Sequence, residues 1–207
     1  MQGSDKHKHT FGGSTWNTPV CPNCNTRLHQ IFEFDLRDDR LLELKSKTLG
    51  KLPLISCLNC SSYWEPQEFR IDPIDKSLSI IKQLDEQHWI AEEQDRLEFP
   101  LPFSEMKLVD LKSIDCPSDE DSDAAFAVFG TEYVCRILGS PLYSTQTIVK
   151  TCSHCNRKME YIATICSEDY DSQGLVHEGF SFNFGESFIY FYLCKSCNIL
   201  ATEMQST

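Results

Sequence analysis

The sequence has no run of lysine and arginine. Its 207 residues carry 19 Lys and Arg against 31 Asp and Glu, a formal net charge of −12. Nucleic-acid binding rests on a clustered basic surface, so this balance argues against a general DNA or RNA binder. It suits solubility, or encounter with a basic protein partner. No stretch approaches the roughly 18 apolar residues of a membrane-spanning helix. The polar N-terminus lacks the apolar core of a secretory signal, and the expected compartment is the reducing cytoplasm. There is no phosphate-binding glycine loop, dinucleotide fingerprint, Gly-x-Ser-x-Gly elbow or His-Glu-x-x-His pair. No recognisable pair of carboxylates is set for acid/base work. The expectation is a protein that is not an enzyme.

Cysteine is abundant instead. Eight of the eleven cysteines fall into four C-x-x-C pairs: Cys21/Cys24, Cys57/Cys60, Cys152/Cys155 and Cys194/Cys197. In a reducing compartment such pairs read as metal ligands or redox centres rather than structural disulfides. Two intervening residues let both thiolates point at one ion. Four thiolates make the closed tetrahedral set of structural zinc, with no position left for a reacting water. The predicted ligands are these eight residues, and the predicted cofactor is two structural zinc ions. The gaps between Cys24 and Cys57 and between Cys155 and Cys194 exceed the roughly 15–20 residues of a compact zinc ribbon. Strands and loops must therefore be inserted, and the spacing leaves open whether knuckles pair within or across the halves. A thiol oxidoreductase is the competing reading; it needs a C-x-x-C at a helix N-terminus, whereas these follow turns and strands. Nothing resembles a ferredoxin cysteine run. Cys116, Cys135 and Cys166 are left over and read as small buried apolar residues. His154, inside a knuckle, reads as an exposed tip.

The halves repeat. An offset of 131 carries Cys21, Cys24 and Asn25 onto Cys152, Cys155 and Asn156, and Leu28 and Ile31 onto Met159 and Ile162. The apolar phase of the following strand is kept, with Phe34 meeting Ile165. This predicts duplication of one unit: glycine turn with an aromatic, knuckle, strand, excursion, strand, knuckle. The expected fold is mostly β, a β-rich α+β class with an internally duplicated sheet unit, each copy carrying a four-cysteine zinc knuckle site. The boundaries are 1–115 for the first repeat and 116–207 for the second, which can also pack as one intertwined domain.

Local patterns predict strands over 31–36, 52–57, 61–71, 106–111, 159–165, 180–184 and 188–193, while 77–84 fits a strand or a short helix, with strand preferred. Residues 1–10 read as a loose arm with solvated His7 and His9, and the tail after Leu200 as frayed. Trp16 reads as a large anchor beside the first knuckle. Asp85 to Glu98 reads as a solvated charged loop. The acidic run from Cys116 to Asp123 reads as a linker leading into a short capped helix ending at Gly130.

These motifs resemble a known family. Phe11-Gly12-Gly13-x-x-Trp16, Cys21-Pro22-x-Cys24 and Leu28-x-x-Ile31 are similar to the opening of YwqG-like proteins, which are related to the programmed-cell-death-protein-2 group. The second half is closer still, in Gly139-x-Pro141-Leu142-Tyr143, in Cys152-x-x-Cys155-x-x-x-Met159-x-x-Ile162-Ala163-x-Ile165, and in Phe184-Gly185-x-x-x-Ile189-Tyr190-Phe191-Tyr192-x-Cys194-x-x-Cys197. The resemblance implies a duplicated β-rich fold with zinc knuckles and a role in protein interaction. Relatives are linked to escorting a basic ribosomal protein, and bacterial members to immunity against polymorphic toxins. The function expected is thus a zinc-stabilised interaction module with a basic protein partner. A zinc-ribbon nucleic-acid binder is a further alternative.

Overall fold

Ten strands form in the computed structural model, which describes residues 1–84, 88–111 and 125–206. In chain order they are β1 (His9–Phe11), β2 (His29–Asp35), β3 (Lys51–Ser56), β4 (Gln67–Asp72), β5 (Ser77–Lys82), β6 (Ser104–Met106), β7 (Cys135–Ile137), β8 (Glu160–Ile165), β9 (Ser187–Cys194) and β10 (Ile199–Ser206). Among the described residues, helix is confined to short 3-10 turns and to Ala125 and Phe126. The fold is mostly β, and its two antiparallel sheets carry the expected duplicated unit.

The strands' sequences explain their burial. In β2, Phe32 and Phe34 alternate with Glu33 and Asp35, yet all four are buried. The carboxylates can be buried because each is paired. Glu33 accepts from Trp16 Nε1–H at 2.6 Å and from Thr15 Oγ1–H at 3.0 Å, and meets the Lys51 ammonium. Arg37 clasps Asp35 through Nε and Nη2. A buried carboxylate without such donors is prohibitively costly.

The repeat is visible in the backbone. The meander β1-β2-β3 has its counterpart in β7-β8-β9, strand for strand and register for register. Phe11 pairs with Phe32 as Ile137 pairs with Ala163, and Phe32 with Leu54 as Ala163 with Phe191. Each second strand bulges at the equivalent isoleucine, Ile31 or Ile162. The bulged carbonyl accepts the N–H of Gly12 in one copy and of Leu138 in the other, both at 2.9 Å. A bulge twists a strand locally and re-aims what precedes it. Here what precedes it is the knuckle.

The copies diverge after their second knuckle. In the second copy β9 turns back directly into β10, and the two pair along their whole length from Ile199↔Cys194 to Ser206↔Ser187. In the first copy a 3-10 turn, Ser61–Trp64, follows Cys60 and sends β4 into the other sheet, where it pairs with β10. One sheet therefore runs β3-β2-β1-β6 and the other β5-β4-β10-β9-β8-β7. The six-stranded sheet takes two strands from the first repeat and four from the second. The boundary expected at 115/116, like Cys116 and the acidic run after it, lies outside the described residues.

Several local expectations are corrected. The C-terminal tail is not frayed: β10 lies between β9 and β4, with Ile199, Leu200 and Ala201 buried. Residues 1–10 are not a loose arm, because His9 and Thr10 belong to β1, flanked by β2 and β6. His9 is not solvated but buried; its Nδ1 accepts the Asp35 N–H, which leaves Nε2–H to donate to Asp38 at 3.0 Å. The alternation of Phe180 to Phe184 is real in burial, yet the segment is not a strand. The Phe182 carbonyl accepts from Glu168 N–H and the Phe184 N–H donates to Ser167 Oγ, so loop 167–168 takes the bonds a ladder would. Its side chains join the sheets: the Phe182 ring stands edge-on to Phe11, centroids 5.2 Å apart, and Tyr63 O–H donates to the Phe184 carbonyl. The core is one cluster spanning both repeats.

Candidate metal centres

The first centre is built where β2 begins and β3 ends. Cys21 accepts the Asn25 N–H at its carbonyl (3.0 Å) and donates its own N–H to Thr26 (2.8 Å). Asn25 takes φ +58°, the left-handed conformation asparagine tolerates best among residues with a Cβ. The second centre reproduces this turn: Asn156 N–H to Cys152 O and Cys152 N–H to Arg157 O, both 2.9 Å, with Asn156 at φ +57°. Flanking bridges Val20↔Arg27 and Thr151↔Lys158 close both turns at equivalent positions. The paired asparagines in the repeat are thus backbone requirements of the knuckle.

Each turn meets the other knuckle of its own half. Cys21, Cys24, Cys57 and Cys60 bring their sulfurs within 4.8 Å of one another, as do Cys152, Cys155, Cys194 and Cys197. This answers the question the spacing left open: the knuckles pair within halves. None of these eight cysteines forms a disulfide, and the sulfurs stand 3.7 Å apart for Cys21–Cys60, 3.4 Å for Cys24–Cys57 and Cys57–Cys60, and 3.6 Å for Cys155–Cys194. Four sulfurs about 2.3 Å from a tetrahedral ion lie about 3.8 Å from each other. The separations fit that set, and each cluster could hold one metal ion.

The titration of the sulfurs points the same way. The Cys21 thiol is driven far below its ordinary value because Cys24, Cys57 and Cys60 can all donate to it, while Cys21, with Cys24 and Cys60, drives Cys57 far up. Four thiols this close accommodate little negative charge without a cation; a dication allows all four to ionise. In the second centre the Arg157 backbone N–H lowers Cys155 to about 7, and burial foremost raises Cys194 to about 12.

The surroundings of the centres differ. The first is wrapped in polar side chains that the sequence reading did not single out. Gln83 Nε2–H reaches Cys21 Sγ at 3.1 Å, Ser62 Oγ lies 3.4 Å from Cys21 Sγ and 3.1 Å from Cys60 Sγ, and Thr26 Oγ1 lies 2.9 Å from Cys24 Sγ. Ser62 and Thr26 sit two residues from a ligand cysteine, which is a signal of sorts. Gln83 arrives from just beyond β5, and nothing local announces it. Three of the first four cysteines are buried, against two in the second centre. His154 is exposed at the second knuckle's tip, as expected. Of the leftover cysteines, Cys166 is buried and Cys135 half-buried on β7.

A third cluster, Asp5, His9 and Asp38, also gathers metal-binding groups. Its cation is already present: Arg40 Nη2 contacts Asp5 at 2.5 Å and Asp38 at 2.6 Å. We read it as an ion-pair knot that holds the N-terminal segment. No helix of the described residues is long and apolar enough to cross a membrane. Comparison with protein-family models, with curated proteins and with solved structures finds no match.

Proposed function

We propose that the protein is a non-enzymatic interaction module, built on two structural zinc ions, that binds a basic protein partner. The carrying observation is the closure of both centres. Four sulfurs converge at each, with separations suited to a tetrahedral ion. Such a set leaves no coordination position for a substrate or a reacting water. Zinc is favoured by the all-sulfur donors and the tetrahedral edge lengths. The ions then act as staples, fixing the start of β2 to the end of β3 and the start of β8 to the turn between β9 and β10.

The partner's chemistry follows from charge. At −12 the surface attracts cationic proteins and repels phosphate backbones. The resemblance to YwqG-like proteins supports the same reading, in which escort of a basic protein and neutralisation of a toxin are two uses of one binding surface. A cytoplasmic setting suits thiolate ligands, which must stay reduced.

Elemental analysis of the purified chain tests the scaffold, and two zinc per chain is the expected result. Titration with a basic protein partner from the native host, followed by calorimetry, tests the binding role. Metal-free chain with freely reactive thiols would overturn the scaffold reading in favour of thiol chemistry. Tight, steeply salt-dependent retention on DNA or RNA would overturn the choice of partner.

A further inference from the structure

Two tryptophans lie stacked at the surface beside the first centre. The Trp64 and Trp89 ring planes are 11° from parallel with centroids 5.7 Å apart, and each residue is 41% exposed. Trp64 ends the 3-10 turn that begins immediately after Cys60. Trp89 is held to the same turn by its backbone, for Ser61 N–H donates to the Trp89 carbonyl at 3.0 Å. Ile90 bridges Cys60, and Ala91 N–H donates to Asn59. From below, Tyr63 stands edge-on to Trp64 and donates its hydroxyl proton to Phe184. The backbone that carries the pair is therefore tied to the candidate metal centre, and Tyr63 ties Trp64 to the core. Rigid, half-exposed tryptophans are the commonest energetic centres of protein interfaces.

The charge around the pair selects the occupant. Glu65 follows Trp64 directly and is exposed; the exposed segment after Ala91 carries Glu92, Glu93, Asp95 and Glu98 against Arg96 alone. Indole is the best π face for a cation, and arginine stacks on it while its guanidinium pairs with nearby carboxylates. Phosphates meet repulsion at the same rim. We propose that the Trp64–Trp89 stack is the docking platform for an arginine-bearing segment of the partner protein, its guanidinium groups lying on the indoles and pairing with the acidic rim. The proposal rests on the reading of the protein as a binder of a basic partner, and it places that partner beside the first metal centre. The centre then holds the binding surface in shape.

The chain contains three tryptophans, so indole N–H resonances offer a direct readout. Trp16 serves as an internal control, being buried with its Nε1–H donated to Glu33. The metal-loaded full chain, labelled at its indole nitrogens and along its backbone, is titrated with a short peptide alternating arginine and glycine. Parallel titrations use a glutamate–glycine peptide and an oligothymidylate. The Trp64 and Trp89 signals should move with the arginine peptide alone while Trp16 stays. Trp89→Ala should weaken binding about tenfold, Trp89→Phe should restore part of it, and Glu92→Gln with Glu93→Gln should flatten its salt dependence. Metal content and melting temperature establish that each variant is folded. Peptide binding that moves backbone signals elsewhere but neither exposed indole overturns the platform and leaves the basic-partner reading standing. Absence of any arginine-peptide binding overturns both. Movement of the two indoles by oligothymidylate, or by raising protein concentration alone, overturns the proposal in favour of a nucleic acid or a second copy of the chain.

Discussion

Replacing Cys152 by serine should affect both halves of the molecule. Cys152 is buried at the head of the second knuckle, and its backbone bonds to Asn156 and Arg157 survive the change. What goes is one of four thiolates, leaving Cys155, Cys194 and Cys197 crowded without a matching cation. A metal present at about a thousand times its dissociation constant stabilises a fold by about 4 kcal/mol, and that is the least the variant should lose. Against the usual 5–15 kcal/mol of a domain this is severe, and for a chain of this size it lowers Tm by about 8–16 °C. The reporter that matters is tryptophan, because all three tryptophans lie in the first half. Trp64 leads into β4, whose residues 67–70 pair with β10, and β10 pairs along its whole length with β9, which ends in Cys194. Loss of the second centre should therefore shift tryptophan fluorescence and far-ultraviolet circular dichroism to the same lower midpoint, with metal content falling from two ions to one. Retention of two ions would refute the ligand assignment. A lowered dichroism midpoint with fluorescence unmoved would refute the energetic coupling of the repeats through the six-stranded sheet.

Other outcomes follow from the same contacts. A chelator should remove the ion of the second centre first, because the first has more buried cysteines and is surrounded by the polar side chains of Gln83, Ser62 and Thr26; simultaneous release, measured with a colorimetric zinc indicator, would contradict this. His29 is buried with its Nε2 on the Leu97 carbonyl, and burial lowers its pKa to about 4. The unfolded chain binds its proton near pH 6.5, so this group's contribution of up to about 3 kcal/mol is full above that value and is lost as pH falls toward 4. Imidazole chemical shifts that titrate above pH 6 would show the opposite. Gly12 sits at φ +65°, and a Cβ there would lie 2.1 Å from the Pro102 carbonyl oxygen, whereas Gly139 at φ +73° has nothing within 4 Å. Gly139→Ala should cost about 1 kcal/mol for its backbone conformation alone, and Gly12→Ala clearly more; equal urea midpoints would refute the clash.

The sequence carried the two four-cysteine clusters well because a knuckle is a local object. Two cysteines, a turn and an asparagine suffice, and the 131-residue offset shows the object twice. It also carried the strands whose apolar residues alternate beside a knuckle, β2, β3, β8 and β9. It failed where neighbours decide. The chain after Leu200 reads as a tail by position, yet Ile199 to Ser206 is a central strand because β9 offers one open edge and β4 the other. Phe180 to Phe184 has the alternation of a strand, yet Ser167 and Glu168 take its hydrogen bonds. His9 is polar and near a terminus, yet Asp38 and the Asp35 amide give it buried partners. Gln83 became a sulfur donor through the path of β5, which no local pattern encodes.

The divergence of the two copies explains how a duplicated scaffold acquires one distinctive surface. In the second copy the chain passes from Cys197 into β10 with only Asn198 between, at φ +50°, and the hairpin closes on itself. In the first copy the turn Ser61–Trp64 intervenes, and β4 leaves β3 for the far sheet. That crossing does two things at once. It fuses the repeats by completing a six-stranded sheet, and it brings Trp64 to the surface at the end of an otherwise buried turn, where Ser61 captures the Trp89 backbone and Trp64 stacks on Trp89. A shortened turn that restored a β3–β4 hairpin would sever the sheets and remove the tryptophan platform together. The crossover after Cys60 is thus the point at which architecture and proposed function share the same residues.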